Sequence, residues 1–232
     1  MNNHKKKNLF FTLFSLFTLL FLSSFADGGD NSIMTGGTGA CPEVIGENTA
    51  SACYVAASND ATACFVIENK NAKMYGVISS DIERKVQILL SQCTDVQNIQ
   101  LIDVPGSVDD EANLNALLKV YQAGLSTELL ANSSVESGGT DFFLAGNKRT
   151  VEEGARIGVH SWAEQDSSGN TVEGSSFPWG HEKHQPYINT YIKLGMSQQN
   201  AEDFYYFTIN AASADSIHYM TSSEISQYML ER

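Results

Sequence analysis

The sequence is short of basic residues and of proline. Its 232 residues hold 14 Lys plus Arg against 27 Asp plus Glu, a net charge of −13. A chain so acidic repels a phosphate backbone and cannot release its counterions, so nucleic-acid binding is excluded as a main activity. No basic stripe is present to meet an anionic membrane surface. Four prolines exclude a proline-rich linker protein. No internal repeat, no GxxxxGK[ST] phosphate loop and no CxxC pair occurs. No cofactor is expected. Charged residues are 18 % and hydrophobic residues 42 %, which excludes an intrinsically disordered chain.

The amino terminus reads as an address. His4, Lys5, Lys6 and Lys7 precede the run LFFTLFSLFTLLFL, and Ser24-Phe25-Ala26 places small residues where signal peptidase needs them. This pattern predicts a signal peptide, residues 1–26, cleaved after Ala26. An uncleaved anchor is the alternative, but the apolar run is short of the roughly 20 residues that span a bilayer. Nothing later in the chain is apolar enough to span one. Cleavage would remove three lysines and no acid, leaving 11 basic against 27 acidic residues, a net −16. A periplasmic or secreted location follows. In that oxidising setting Cys41, Cys53, Cys64 and Cys93 are expected to form two disulfides, with three pairings open.

Residues 27–62 read as a flexible, Gly- and Ser-rich lead-in followed by a Cys-containing segment. Residues 63–232 read as the α/β domain. Strands are predicted at 64–68, 73–78, 99–104, 126–130 and 156–160. Helices alternate with them: one from about 81, one at 109–121, and one containing Phe142, Phe143 and Leu144. This alternation is the mark of a mainly parallel sheet flanked by helices. Residues 132–140 read as a small-residue turn and 164–180 as a polar loop. Helices follow at about 182–194, 198–210 and 221–230.

Chemistry is sought among few histidines. His160 ends a predicted strand, where functional groups gather in parallel sheets. Ser137 opens a predicted helix in Val-Glu-Ser-Gly-Gly-Thr. Helix starts offer free N–H groups, so the Gly138 N–H suits an oxyanion forming beside Ser137. The Pro105-Gly106-Ser107 turn suits a second donor, from Gly106 or Ser107. A serine at such a place also serves as an ordinary cap, and a strand-end histidine as a structural one.

In order and spacing, IDVPGSVDDEANL, SGGTDFFLAGNKR and GARIGVH resemble the ClpP/crotonase superfamily, in particular exported relatives of the Clp protease proteolytic subunit. The resemblance runs from about Met74 to Leu230. Nine residues separate Ser137 from Gly146, and 23 separate Ser137 from His160. The resemblance implies a fold of repeated ββα units. It implies that Ser137 attacks an acyl carbonyl, that His160 carries the proton, and that a later acid, here Asp215, orients His160. A Ser-His dyad, or orientation by another acid, is the alternative. The implied activity is an exported serine hydrolase, a peptidase acting on peptide or protein substrates. Ring-forming relatives imply a homo-oligomer. The Clp subunit depends on an ATP-driven unfoldase, which an exported chain would not meet.

Three departures from the family pattern stand out. The usual Pro-Gly-Gly is Pro-Gly-Ser, the larger residue usual after the nucleophile is Gly138, and Glu136 precedes Ser137. They sustain a second reading, a non-catalytic envelope binding or assembly protein on the same fold. A crotonase-like acyl-CoA enzyme is a third, set aside because acyl-CoA is a cytoplasmic substrate. Lys148 as a base, and His181 with His184 as metal ligands, are weaker candidates; no metal is expected.

Overall fold

The computed structural model describes residues 39–228. The predicted signal peptide and residues 27–38 of the lead-in lie outside the described residues. The polypeptide runs β1 (Val44–Ile45), α1 (Ala50–Tyr54), β2 (Cys64–Glu68), β3 (Asn71–Tyr75), α2 (Ile82–Gln92) and β4 (Asn98–Val104). It continues as α3 (Asp110–Gln122), β5 (Ser126–Leu129), β6 (Ser134–Glu136), α4 (Gly138–Phe143), β7 (Arg149–Val151) and β8 (Arg156–Val159). Then come β9 (Ala163–Gln165), β10 (Thr171–Glu173), α5 (Gln185–Lys193), α6 (Gln198–Ala211), β11 (His218–Tyr219) and α7 (Ser222–Tyr228).

Among the described residues, nine strands form one sheet in the order β1-β2-β3-β4-β6-β8-β11, with β5 and β7 branching from β4. The sheet is mainly parallel: β3, β6 and β5 all run parallel to β4, as does β7 to β5 and β8 to β6. Only the edges are antiparallel, at β1/β2, β2/β3 and β8/β11.

Strand β4 forks. Its first half, Asn98–Gln100, pairs with Ser126–Glu128 of β5, while Asp103 and Val104 pair with Ser134 and Val135 of β6. Strand β4 is largely buried: Ile99, Leu101 and Val104 are fully so, and Gln100 and Ile102 are 8 % exposed. The fork opens the sheet at the carboxyl end of β4. The Pro105–Ser107 turn and the β6–α4 turn face each other there.

Local chemistry sets the helix starts. Asp109 Oδ1 accepts the Ala112 N–H at 3.0 Å, and Ser197 Oγ accepts the Asn200 N–H at 3.1 Å. Each thereby satisfies one of the donors a helix start leaves open. The apolar positions Ile82, Val86 and Leu89 fall on one face of α2 and are buried against the sheet.

The Cys-containing segment shares the sheet and the core of the main domain. Val44 and Ile45 pair with β2, and Ile45 is buried. Disulfides Cys41–Cys93 and Cys53–Cys64 tie it to the end of α2 and to β2. Beneath it lies Lys85, 1 % exposed. Its ammonium reaches Ala63 O at 2.6 Å, Thr62 Oγ1 at 3.0 Å and Asp81 Oδ2 at 2.9 Å. Three donors meet three acceptors, which is what a buried lysine requires.

Two segments read as a loop and a turn carry strands. Residues 164–180 are not simply a loop: β9 and β10 form a two-stranded hairpin. Its turn is made by Asp166, whose Oδ1 accepts the Ser168 and Asn170 N–H groups, both at 2.8 Å. Likewise the 132–140 turn contains β6. Strands of three residues are too short for alternation to register.

Loop length ranks the two disulfides. Cys41–Cys93 closes 52 residues and Cys53–Cys64 closes 11. Replacing the first pair with serine should cost about 4 kcal/mol and the second about 3 kcal/mol, by the chain-entropy relation. Urea unfolding of the two double variants checks this; a larger loss from the shorter loop would contradict it.

Candidate active site

Ser137 sits between β6 and α4 with φ 52° and ψ −126°. This is a backbone conformation that L-residues other than glycine rarely adopt, and holding it costs roughly 1–3 kcal/mol. The neighbouring bonds enforce it. The Ser137 N–H donates to Gly158 O on β8 at 3.0 Å, while Ser137 O accepts from Thr140 N at 2.8 Å and Asp141 N at 3.2 Å. A sharp strand-to-helix turn of this kind lifts a side chain clear of both elements. The Ser137 hydroxyl makes no capping bond to its own helix.

Peptide planarity fixes the donors around it. In a trans peptide the C=O of one residue points opposite to the N–H of the next. Gly106 O accepts from Ile78 N, and Val108 N donates to Ile78 O, both at 2.8 Å. Ile78 follows β3, on one side of β4, so the Ser107 N–H points to the other side, toward β6 and Ser137. Ser137 O points into α4, so the Gly138 N–H points back out of the helix. Neither N–H takes part in a backbone hydrogen bond. Gly106 permits this approach: it has φ +141°, and a Cβ there would lie 3.2 Å from Ser137 Cβ.

Ser137, Gly138 and His160 line one cleft together with Asp110, Asp141, Trp162, Tyr187, Tyr191 and Tyr205. His160 follows β8 and is half-buried. Its Nδ1 is buried without a hydrogen-bond partner. Desolvation pushes its pKa down, against the upward pull of the Ala214 backbone carbonyl and the carboxylates of Glu136, Asp110 and Glu173. The net is a shift below the ordinary histidine value, so the ring is a neutral base near pH 7.

Asp215 stands outside this cleft. It is exposed, and its Oδ1 accepts from Ser213 Oγ at 2.6 Å. The segment reaches His160 through a backbone group instead, the Ala214 carbonyl. Glu136, the acid that precedes Ser137, also stays out of the cleft lining; its carboxylate accepts the Tyr219 hydroxyl. Lys148 is exposed and lies away from the cleft. His184 is fully buried, with Nδ1 2.8 Å from Tyr205 Oη and Nε2 3.2 Å from Pro178 O. Both its nitrogens are committed, and among the described residues no His, Cys, Asp and Glu group is placed to hold a metal.

Two cleft acids escaped the sequence reading. Asp110 opens α3, and its Oδ1 and Oδ2 accept from the Ser107 hydroxyl and the Tyr187 hydroxyl. Asp141 lies one turn after Ser137 on α4 and accepts from Tyr191 Oη at 2.5 Å. Burial pushes the Asp141 carboxyl up to about 7, the Tyr191 hydrogen bond opposing and the Asp110 charge assisting. Both had the sequence signature of first-turn helix acids, which serve the helix dipole in most proteins. Their tyrosine partners lie 50 and 77 residues away, beyond any local pattern.

No family model and no curated protein matches the chain. Among solved structures, it is similar to a point mutant of the 1510-N membrane-bound stomatin-specific protease: 19 % identity, 67 % of this chain and 73 % of that one covered, TM-score 0.44. It is also similar to a putative enoyl-CoA hydratase/isomerase (crotonase) from Legionella pneumophila: 10 % identity, 72 % and 68 % covered, TM-score 0.43. A third is a putative enoyl-CoA hydratase from Thermobifida fusca in complex with CoA: 10 % identity, 79 % and 74 % covered, TM-score 0.43. Among the described residues, no helix is long and apolar enough to cross a membrane.

Asp141 gives the site a pH signature. Its folded pKa of about 7 lies above the ordinary carboxyl value of 3.8. Its contribution to stability is therefore complete below pH 3.8 and is lost as pH rises through 7. Asp141→Asn keeps an acceptor for Tyr191 and should flatten this slope, leaving the variant more stable than the parent above pH 7. Thermal unfolding from pH 4 to 8 checks this; parallel curves would contradict it.

Proposed function

We propose that this chain is an exported serine hydrolase, a peptidase of the ClpP type, with Ser137 as nucleophile and His160 as general base. The observation that carries this reading is the strained Ser137 turn, whose own Gly138 N–H and the facing Ser107 N–H make no backbone hydrogen bond, with a neutral imidazole in the same cleft as Ser137. Strain of this size persists only where the surrounding structure enforces it, and such strain concentrates at active sites.

In the proposed reaction Ser137 Oγ bonds to the acyl carbon of a peptide while its proton passes to His160. The carbonyl oxygen becomes an oxyanion, accepted by the Ser107 and Gly138 N–H groups. Collapse expels the amine, which takes the proton from His160. Water then attacks the acyl-enzyme by the same path and regenerates Ser137. No carboxylate holds His160 Nδ1, so the base works as a Ser-His dyad oriented by burial and by the Ala214 carbonyl. The partners are peptide or protein substrates, and a homo-oligomer is the assembly proposed. The proposed compartment is the periplasm or the exterior.

The unpartnered Nδ1 and the position of Asp215 favour a second reading, a non-catalytic envelope binding or assembly protein. A fluorophosphonate probe on the mature protein separates the two. The hydrolase reading expects one adduct, mapped to Ser137, lost in Ser137→Ala and slowed on the order of 100-fold or more in His160→Ala. A well-folded protein that takes no label would support the binding protein. Strain supplies a further outcome: Ser137→Gly should lose labelling yet match or exceed the parent in melting temperature, since glycine adopts φ 52° freely. A clear drop in melting temperature would count against the strain.

A further inference from the structure

The two departures flanking the cleft, serine for glycine at 107 and glycine for a larger residue at 138, are one feature. A Cβ on Gly138 would lie 2.3 Å from Ser107 Oγ and 2.6 Å from Ser107 Cβ. The Ser107 side chain therefore fills the space that a side chain at 138 would need. It is also held there: the Ser107 hydroxyl donates to Asp110 Oδ1, and Tyr187 Oη donates to Asp110 Oδ2 at 2.5 Å. From the other side Asn113, one turn further along α3 and 1 % exposed, donates through Nδ2 to Gly138 O at 2.9 Å. Helix α3 thus grips both turns, one through Asp110 and one through Asn113.

We propose that Asp110 is a positioning residue for the oxyanion site. It fixes the Ser107 side chain over Gly138, and through Ser107 it holds the 106–107 peptide with its N–H facing Ser137. This inference rests on the hydrolase reading. Asp110 needs only an acceptor oxygen for the task. A carboxylate held by two hydroxyl donors in fixed directions is a stiff lever, because Tyr187 restrains the oxygen that Ser107 does not use. The exchange at 107 and 138 then explains how a chain without the second glycine of the turn keeps that N–H free: the added side chain is received by the missing one opposite.

The test uses the full mature protein, an activated ester substrate and a fluorophosphonate probe. Asp110→Ala should slow Ser137 labelling about 10- to 100-fold, a part of the 100- to 1000-fold that losing a whole oxyanion donor costs. It should lower kcat with KM nearly unchanged, the pattern of a transition-state contact. Asp110→Asn, which retains the acceptor, should stay within about threefold of the parent. Gly138→Ala should lower the melting temperature and abolish labelling, and adding Ser107→Gly should restore the melting temperature. If the parent labels and Asp110→Ala labels at the same rate, the positioning role is overturned and the hydrolase reading stands. If Asp110→Asn is as slow as Asp110→Ala, the carboxylate acts by charge and the proposal fails. If Asp110→Ala does not fold, the Asn variant and the 107/138 pair decide. Failure of Ser107→Gly to restore Gly138→Ala removes the steric half. A parent that takes no label removes the hydrolase reading and this role together.

Discussion

The cleft depends on one backbone clamp. Ile78, just past β3, donates to Gly106 O and accepts from Val108 N, so the carbonyl of the 106–107 peptide faces Ile78. Planarity then sends the Ser107 N–H across β4 toward Ser137. On the far side Ser137 O accepts from Thr140 N and Asp141 N, and the same logic sends the Gly138 N–H out of α4. Two donors converge because the opposite end of each peptide is pinned, one by Ile78 and one by the first turn of α4. The fork in β4 makes room for this. Were β5 to continue alongside β4 to its end, β6 could not deliver the Ser137 turn beside the Pro105–Ser107 turn.

The electrostatics of the cleft work against the chemistry proposed for it and are moderated locally. Asp110 and Asp141 line it, and Glu136 and Glu173 act on His160 from nearby. Negative charge opposes an oxyanion. The structure answers with hydroxyls: Tyr187 and Tyr191 each donate to a cleft carboxylate, and Asp141 is pushed toward its neutral form near pH 7. Glu136 turns to Tyr219, whose ring carries the Arg156 guanidinium 3.9 Å from its centroid.

Much of the fold was legible because long elements state their period. The Ile- and Leu-rich stretch of β4, the spacing of Ile82, Val86 and Leu89 in α2, and the Asp109 cap of α3 each carry a local signal. Strands β6, β7, β9 and β10 were not legible, because three residues cannot show an alternation. At the site, Ser137, Gly138 and His160 could be singled out because a strand or helix boundary marks each of them. The sequence left Gly106 and Ser107 as rival donors; only the bonds to Ile78 distinguish them. Asp110, Asp141 and their tyrosines were hidden, since pairs 50 and 77 residues apart leave no local trace. Asp215 was the nearest acid before the segment where the family has its orienting acid, about two residues early, and its carboxylate is turned to Ser213.

The central claim is that Ser137 is a nucleophile whose product oxyanion is received by the Ser107 and Gly138 amides. The most direct measurement is a crystal structure of the protein with a peptide boronate. The account predicts a boron–Ser137 Oγ bond and one boronate oxygen about 2.7–3.1 Å from both amide nitrogens. A boronate absent from Ser137, or attached with its oxygen turned away from both amides, would contradict it.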